Sequence, residues 1–105
     1  MISKKLTPEF LIETYICNCF DNDYSGIYHR INHWDCQDTE RNNETECYFY
    51  ILESNRNLIP SIQNQLEEML GVPCCQVEEP EMGHEDEIRL CYIVGVNEKY
   101  EKSIY

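Results

Sequence analysis

The stretch 88–96 constrains the fold of this chain more than any other. Ile88, Leu90, Tyr92, Val94 and Val96 alternate with Arg89, Cys91, Ile93 and Gly95, so every second side chain is apolar. That period of two belongs to a β-strand with one wholly apolar face, and such a face needs neighbouring strands beside it and a second layer over it.

The remaining segments supply both. Thr7, Pro8 and Glu9 form a helix start, with Thr7 able to cap, Pro8 preset for the first helical position and Glu9 near the positive dipole end. Leu11, Ile12, Tyr15, Ile16, Cys19 and Phe20 then recur at spacings of three and four, which predicts a helix over 8–20 with one buried face. Turn residues at 21–26 lead to a predicted strand over 27–34, and 35–46 is expected to be a polar, acidic loop. Residues 47–52 are rich in aromatic and β-favouring types and read as an interior strand, paired with the preceding one in a hairpin. Asn57 is a candidate cap for a second helix with Pro60 in its first turn, and Ile59, Ile62, Leu66, Met69 and Leu70 mark its buried stripe. Gly71 ends that helix and Pro73 forbids continuation. A peripheral strand over 72–78 follows, because Pro73 has no ladder donor, and then an acidic loop leading to the last strand.

The expected order is therefore αββαββ, an α+β fold with two helices packed on one face of a four-stranded, mainly antiparallel sheet. A chain of 105 residues with 42% apolar types fits one domain, 1–105, built round a single core. No internal repeat, linker or low-complexity tract divides it.

Charge bears most directly on function. Twenty acidic residues against eight basic ones give a net charge of −12, and Lys4, Lys5, Lys99 and Lys102 all lie near the ends. Between Asp21 and Glu87, sixteen acids face only Arg30, Arg41 and Arg56, a local balance of −13. Such a surface repels nucleic acid, since it cannot neutralise phosphates, and attracts basic proteins. The longest apolar run, 91–94, is far short of the roughly 20 residues a spanning helix needs, and the N-terminal residues lack the pattern of a signal peptide. A cytoplasmic location, in a host cytoplasm if the protein is viral, and no membrane partner are expected. The seven cysteines are an odd set placed mostly in apolar runs, where a free thiol behaves as a small hydrophobe.

The first candidate site is the acidic run Glu78, Glu79, Glu81, Glu85, Asp86 and Glu87; the second is Asp38, Glu40, Glu44 and Glu46, with Trp34 beside it. Either group is a solvated loop or a surface that pairs with Arg and Lys of a partner, imitating the phosphates of a nucleic acid. Concentrated charge of one sign costs stability through self-repulsion and raises association rates with a basic partner. Tyr24, Tyr28, Trp34, Tyr48, Tyr50, Tyr92, Tyr100 and Tyr105 exceed what one small core needs and are available as interface anchors, for a partner or a homodimer, or as cover for the outer sheet face.

Metal and enzyme readings are weaker. Residues 21–26 resemble the first half of an EF-hand calcium loop, but Asn32 stands where the bidentate carboxylate belongs. His29, His33 and Cys36 are ligand types for zinc, yet residues four apart on a strand are about 13 Å apart, too far for one ion. A glycine-rich phosphate loop, a nucleophile elbow and a metalloprotease histidine pair are all missing, so no enzyme, no catalytic residue and no cofactor are expected.

In size, charge and missing chemistry the chain is similar to small acidic inhibitors: viral anti-CRISPR proteins, nucleic-acid mimics and the immunity proteins that neutralise nuclease toxins. That similarity implies a non-enzymatic inhibitor whose partner is a basic protein, a nucleic-acid-binding protein or nuclease, with no direct contact to nucleic acid. The alternative is a small zinc- or calcium-binding regulatory domain.

Overall fold

Pro8 cannot donate a backbone hydrogen bond and is tolerated where no donor is needed, in the opening turn of α1 (Pro8–Asp21). The computed structural model describes residues 8–22, 26–39, 44–80 and 86–95, so Thr7 as a cap lies outside the described residues. Leu11, Ile12 and Ile16 are buried, and Tyr15, Cys19 and Phe20 pack against them. The second helix, α2 (Ile59–Leu70), buries Ile59, Ile62, Leu66, Met69 and Leu70, the stripe its periodicity predicts. It stops at Gly71, whose φ of 75° a side chain would strain and whose N–H reaches the Glu67 carbonyl at 2.8 Å.

Four strands, β1 (His33–Asp38), β2 (Glu44–Leu52), β3 (Gln76–Glu78) and β4 (Glu87–Gly95), form one sheet in the order β1-β2-β4-β3, each pair antiparallel. The α+β fold and its αββαββ order are those the sequence implies. Register explains the core. Trp34, Phe49, Leu90 and Val77 stand in one row across the sheet, and Cys36, Cys47 and Tyr92 in the next. Thr45–Val94 and Ile51–Ile88 continue the same face, which joins the buried residues of both helices in one cluster. The opposite face carries His33, Asp35 and Gln37, then Glu46, Tyr48 and Tyr50, then Arg89, Cys91 and Ile93.

Three boundaries differ from expectation. The strand expected over 27–34 is instead a 3₁₀ turn, Ile27–Arg30, followed by β1 six residues later than its expected start. Gly26 enters that turn at φ 78°, and Tyr28 stacks on Phe20 at 4.7 Å, so local packing overrides the apparent alternation. The expected loop over 35–46 is mostly strand, because Asp35 and Gln37 are exposed and Glu46 stands on the outer face while Cys36 and Thr45 face the core. Asn57 lies inside a second 3₁₀ turn, Glu53–Leu58, and Leu58 holds the N-cap position of α2 without a side-chain cap. Arg56 anchors that turn to Glu53, which sets its geometry ahead of the helix. The peripheral strand is shorter than expected, three residues at the sheet edge, and Pro73 lies outside it.

Thr45 is fully buried opposite Val94, and its hydroxyl has no hydrogen-bond partner among the described residues. A buried unpaired hydroxyl costs free energy that a methyl group of the same shape does not. Thr45→Val is expected to raise stability by about 1 kcal/mol, read as a higher urea midpoint with an unchanged slope.

Candidate functional site

Helix α1 carries Glu9, Glu13, Cys17 and Asp21 at successive spacings of four, which places them along one stripe of the helix. α1 packs on β1 and β2, and Glu13 of that stripe lies within electrostatic reach of Asp35 and Asp38 of edge strand β1. The electrostatics of Glu13 register the crowding: burial first, then the carboxylates of Glu9, Asp35 and Asp38, push its carboxyl above the ordinary glutamate value. Burial, Asp21 and Glu13 push the Cys17 thiol up in the same way. No described ion pair joins Glu9, Glu13, Asp21, Asp35 or Asp38 to a cation.

The acidic run 78–87 has a different character. Glu78 ends β3 directly opposite Arg89 and is paired with it. Glu79 accepts hydrogen bonds from Arg56, one of them at 3.0 Å from Nη1, and these hold its carboxyl below the usual range. Arg56 also donates to Glu53 from Nε at 2.6 Å and from Nη2 at 2.8 Å. Glu87 opens β4 and accepts from Asn32 Nδ2 and from His33 Nε2, each at 2.8 Å. Asp86 is exposed and in no described ion pair, while its backbone carbonyl accepts the Glu53 N–H at 2.7 Å. Glu81 and Glu85 lie outside the described residues. The three described arginines are thus unevenly spent, with Arg56 and Arg89 both on this side of the sheet.

In the second group, Asp38 ends β1 and is exposed, Glu44 opens β2, and Glu46 accepts a hydrogen bond from the Tyr48 hydroxyl on the outer face. Glu40 lies outside the described residues. Trp34 faces the core, its ring 5.9 Å from Phe20 and 6.4 Å from Phe49. Tyr92 is fully buried between Leu90 and Val94 on the inner face of β4, so it belongs to the core, while Tyr24, Tyr100 and Tyr105 lie outside the described residues. Tyr48 and Tyr50 are the tyrosines that cover the outer face: Arg89 lies 4.5 Å over the Tyr48 ring, and His33 stacks on Tyr50 at 4.1 Å.

The zinc set is divided by the sheet. His33 stands on the outer face, Cys36 on the inner face, and His29 in the 3₁₀ turn before them. Among the described residues no three His, Cys, Asp or Glu side chains converge as a metal ion needs. The calcium-like loop is only partly described; Asp21 ends α1, and Asn22 folds back so that both its N–H, at 3.2 Å, and its Nδ2, at 2.8 Å, donate to the Asn18 carbonyl.

Glu9, Glu13 and Asp35 were not singled out by sequence reasoning, though a signal existed. Glu9 and Glu13 are four apart on the polar side of α1, and Asp35 alternates with the inward Trp34 and Cys36. Comparison with protein-family models, with curated proteins and with solved structures finds no match for the chain. No helix among the described residues is long and apolar enough to cross a membrane.

The raised Glu13 carboxyl has a testable consequence. A folded-state value above the unfolded one means that this group favours folding below the unfolded pKa and loses that contribution as pH rises through the folded pKa. Glu13→Gln is expected to stabilise the protein by ~0.5 kcal/mol at about pH 7 and by nothing at about pH 3.5, where the native carboxyl is protonated in both states. Urea titrations at the two pH values measure the difference.

Proposed function

We propose that this protein is a non-enzymatic acidic inhibitor that occupies the basic, nucleic-acid-binding surface of a partner protein. The observation that carries the reading is that the carboxylates of Glu9, Asp35 and Asp38 all act on Glu13, so that negative charge gathers along the α1–β1 edge, and no described ion pair answers it. Negative charge carried by a helix and by the edge strand beside it presents its field on one side of the molecule. That field steers encounter with Lys- and Arg-rich surfaces and repels nucleic acid itself. The run 78–87 contributes less charge than its composition suggests, because Glu78 is paired with Arg89 and Glu79 with Arg56. Asp86, with Glu81 and Glu85, stays within the proposed surface.

The test has two parts. Basic proteins captured from a host lysate at low salt are identified by mass spectrometry, and each is then offered duplex DNA or RNA in competition with the acidic protein. Mutually exclusive binding, weakened steeply by salt, supports the reading; partners that bind nucleic acid and this chain together overturn it.

A further inference from the structure

We infer that Cys36 and Cys47 form a covalent modification site, a cross-strand disulfide that latches edge strand β1 to β2 when the protein meets a low-molecular-weight disulfide of the glutathione type. The inference is independent of the proposed inhibitor function. Cys36 and Cys47 are direct register partners on the core face of β1 and β2, and the Cys36 thiol donates to the Cys47 sulfur at 3.7 Å. The Cys36 N–H is held by Asp35 Oδ1 at 2.9 Å, the arrangement of a residue whose N–H turns to the free edge of the sheet. That makes Cys36–Cys47 a non-hydrogen-bonded pair, the kind with Cα atoms about 4.5 Å apart, inside the window of roughly 4.4–6.8 Å that a disulfide spans.

Other thiols are less well placed. Cys75 is exposed and donates its S–H to the Cys91 carbonyl at 3.2 Å, but the register partner of Cys91 on β3 is Gln76. Cys17 is exposed on α1, outside the sheet.

Chemistry then sets the conditions. The contact with Cys47, and then burial, disfavour the Cys36 thiolate, so the exchange proceeds when β1 lifts from the sheet and exposes the pair. One cysteine thiolate attacks the small disulfide, forming a mixed disulfide and releasing one small thiolate, which takes up the proton the cysteine lost. The second cysteine thiolate displaces the remaining small thiol. In net, two protein thiols lose two electrons and two protons to form one S–S bond, and the small disulfide is reduced to two thiols.

The experiment uses the unaltered chain incubated with oxidised glutathione, quenched in acid, alkylated under denaturing conditions and digested with trypsin without reduction. Arg30, Arg41 and Arg56 place Cys36 and Cys47 in separate tryptic peptides, 31–41 and 42–56, so their linkage is seen directly as a joined pair two hydrogens lighter than the sum. The expected result is that joined pair as the main intramolecular product, with a thermal midpoint ~10 °C higher and restored by dithiothreitol. Alkylation of both Cys36 and Cys47 while Cys17 and Cys75 carry glutathione, or a Cys75–Cys91 linkage in their place, overturns the site. A joined pair that leaves the melting midpoint unmoved overturns the latch. Because these readouts need no variant, they stand even if Cys36→Ala fails to fold.

Discussion

Truncating Phe49 to alanine is expected to cost about 3–5 kcal/mol, the range for removing a buried aromatic ring. Phe49 is fully buried at the middle of β2, among aromatic rings from α1, β1 and β4. Its ring lies 6.5 Å from Phe20 on α1, 6.4 Å from Trp34 on β1 and 5.7 Å edge-on from Tyr92 on β4. Removing it takes away the burial of the ring and leaves a cavity that no single neighbour can fill, since these rings are anchored on three separate elements. Small domains are stable by only about 5–15 kcal/mol, so a loss of this size leaves little or no margin. Val77 supplies the contrast. It stands in the same row across the sheet but is 43% exposed on the edge, and Val77→Ala is expected to cost about 0.5 kcal/mol. Urea denaturation of the two variants should separate by several kcal/mol; equal losses would place the core elsewhere.

Reversing Glu9, Glu13 and Asp38 to lysine is expected to slow association with the captured basic partner by ~10 to 10³ and to flatten its salt dependence. Asp35 is left in place because its carboxylate holds the Cys36 N–H, and changing it would mix a structural effect with an electrostatic one. Glu9 and Glu13 are half-buried and Asp38 is exposed. The matching variant reverses Glu79, Glu81, Glu85 and Asp86. The α1–β1 set should have the larger effect, because Glu79 is already answered by Arg56 whereas no described cation answers Glu9, Glu13 or Asp38. Stopped-flow rates at two salt concentrations decide between them. An α1–β1 variant that associates as fast as the native chain removes that edge from the proposed surface, and a larger loss in the 78–87 variant moves the surface there.

The order of the two helices and four strands and most of the core are legible in the sequence, while the type of the segment 27–32 is not. Strict alternation over 88–96 shows which side of β4 is buried, and spacings of three and four mark the inner faces of α1 and α2, because each pattern is a direct projection of local backbone geometry onto solubility. Gly71 and Pro73 end α2 for reasons of backbone conformation that act within a few residues. Tertiary structure decided where β1 begins, since Tyr28 is drawn onto Phe20 and the register with β2 turns Trp34 and Cys36 inward. It also decided which carboxylates remain unanswered. Arg56 meets Glu79 across 23 residues, Arg89 meets Glu78 through strand pairing, and His33 on β1 meets Glu87 on β4 with β2 between them, so which carboxylates have partners emerges only when the strands are paired. Local pattern encodes whether a side chain faces solvent; the identity of its neighbour there depends on chain crossings that no window of sequence contains.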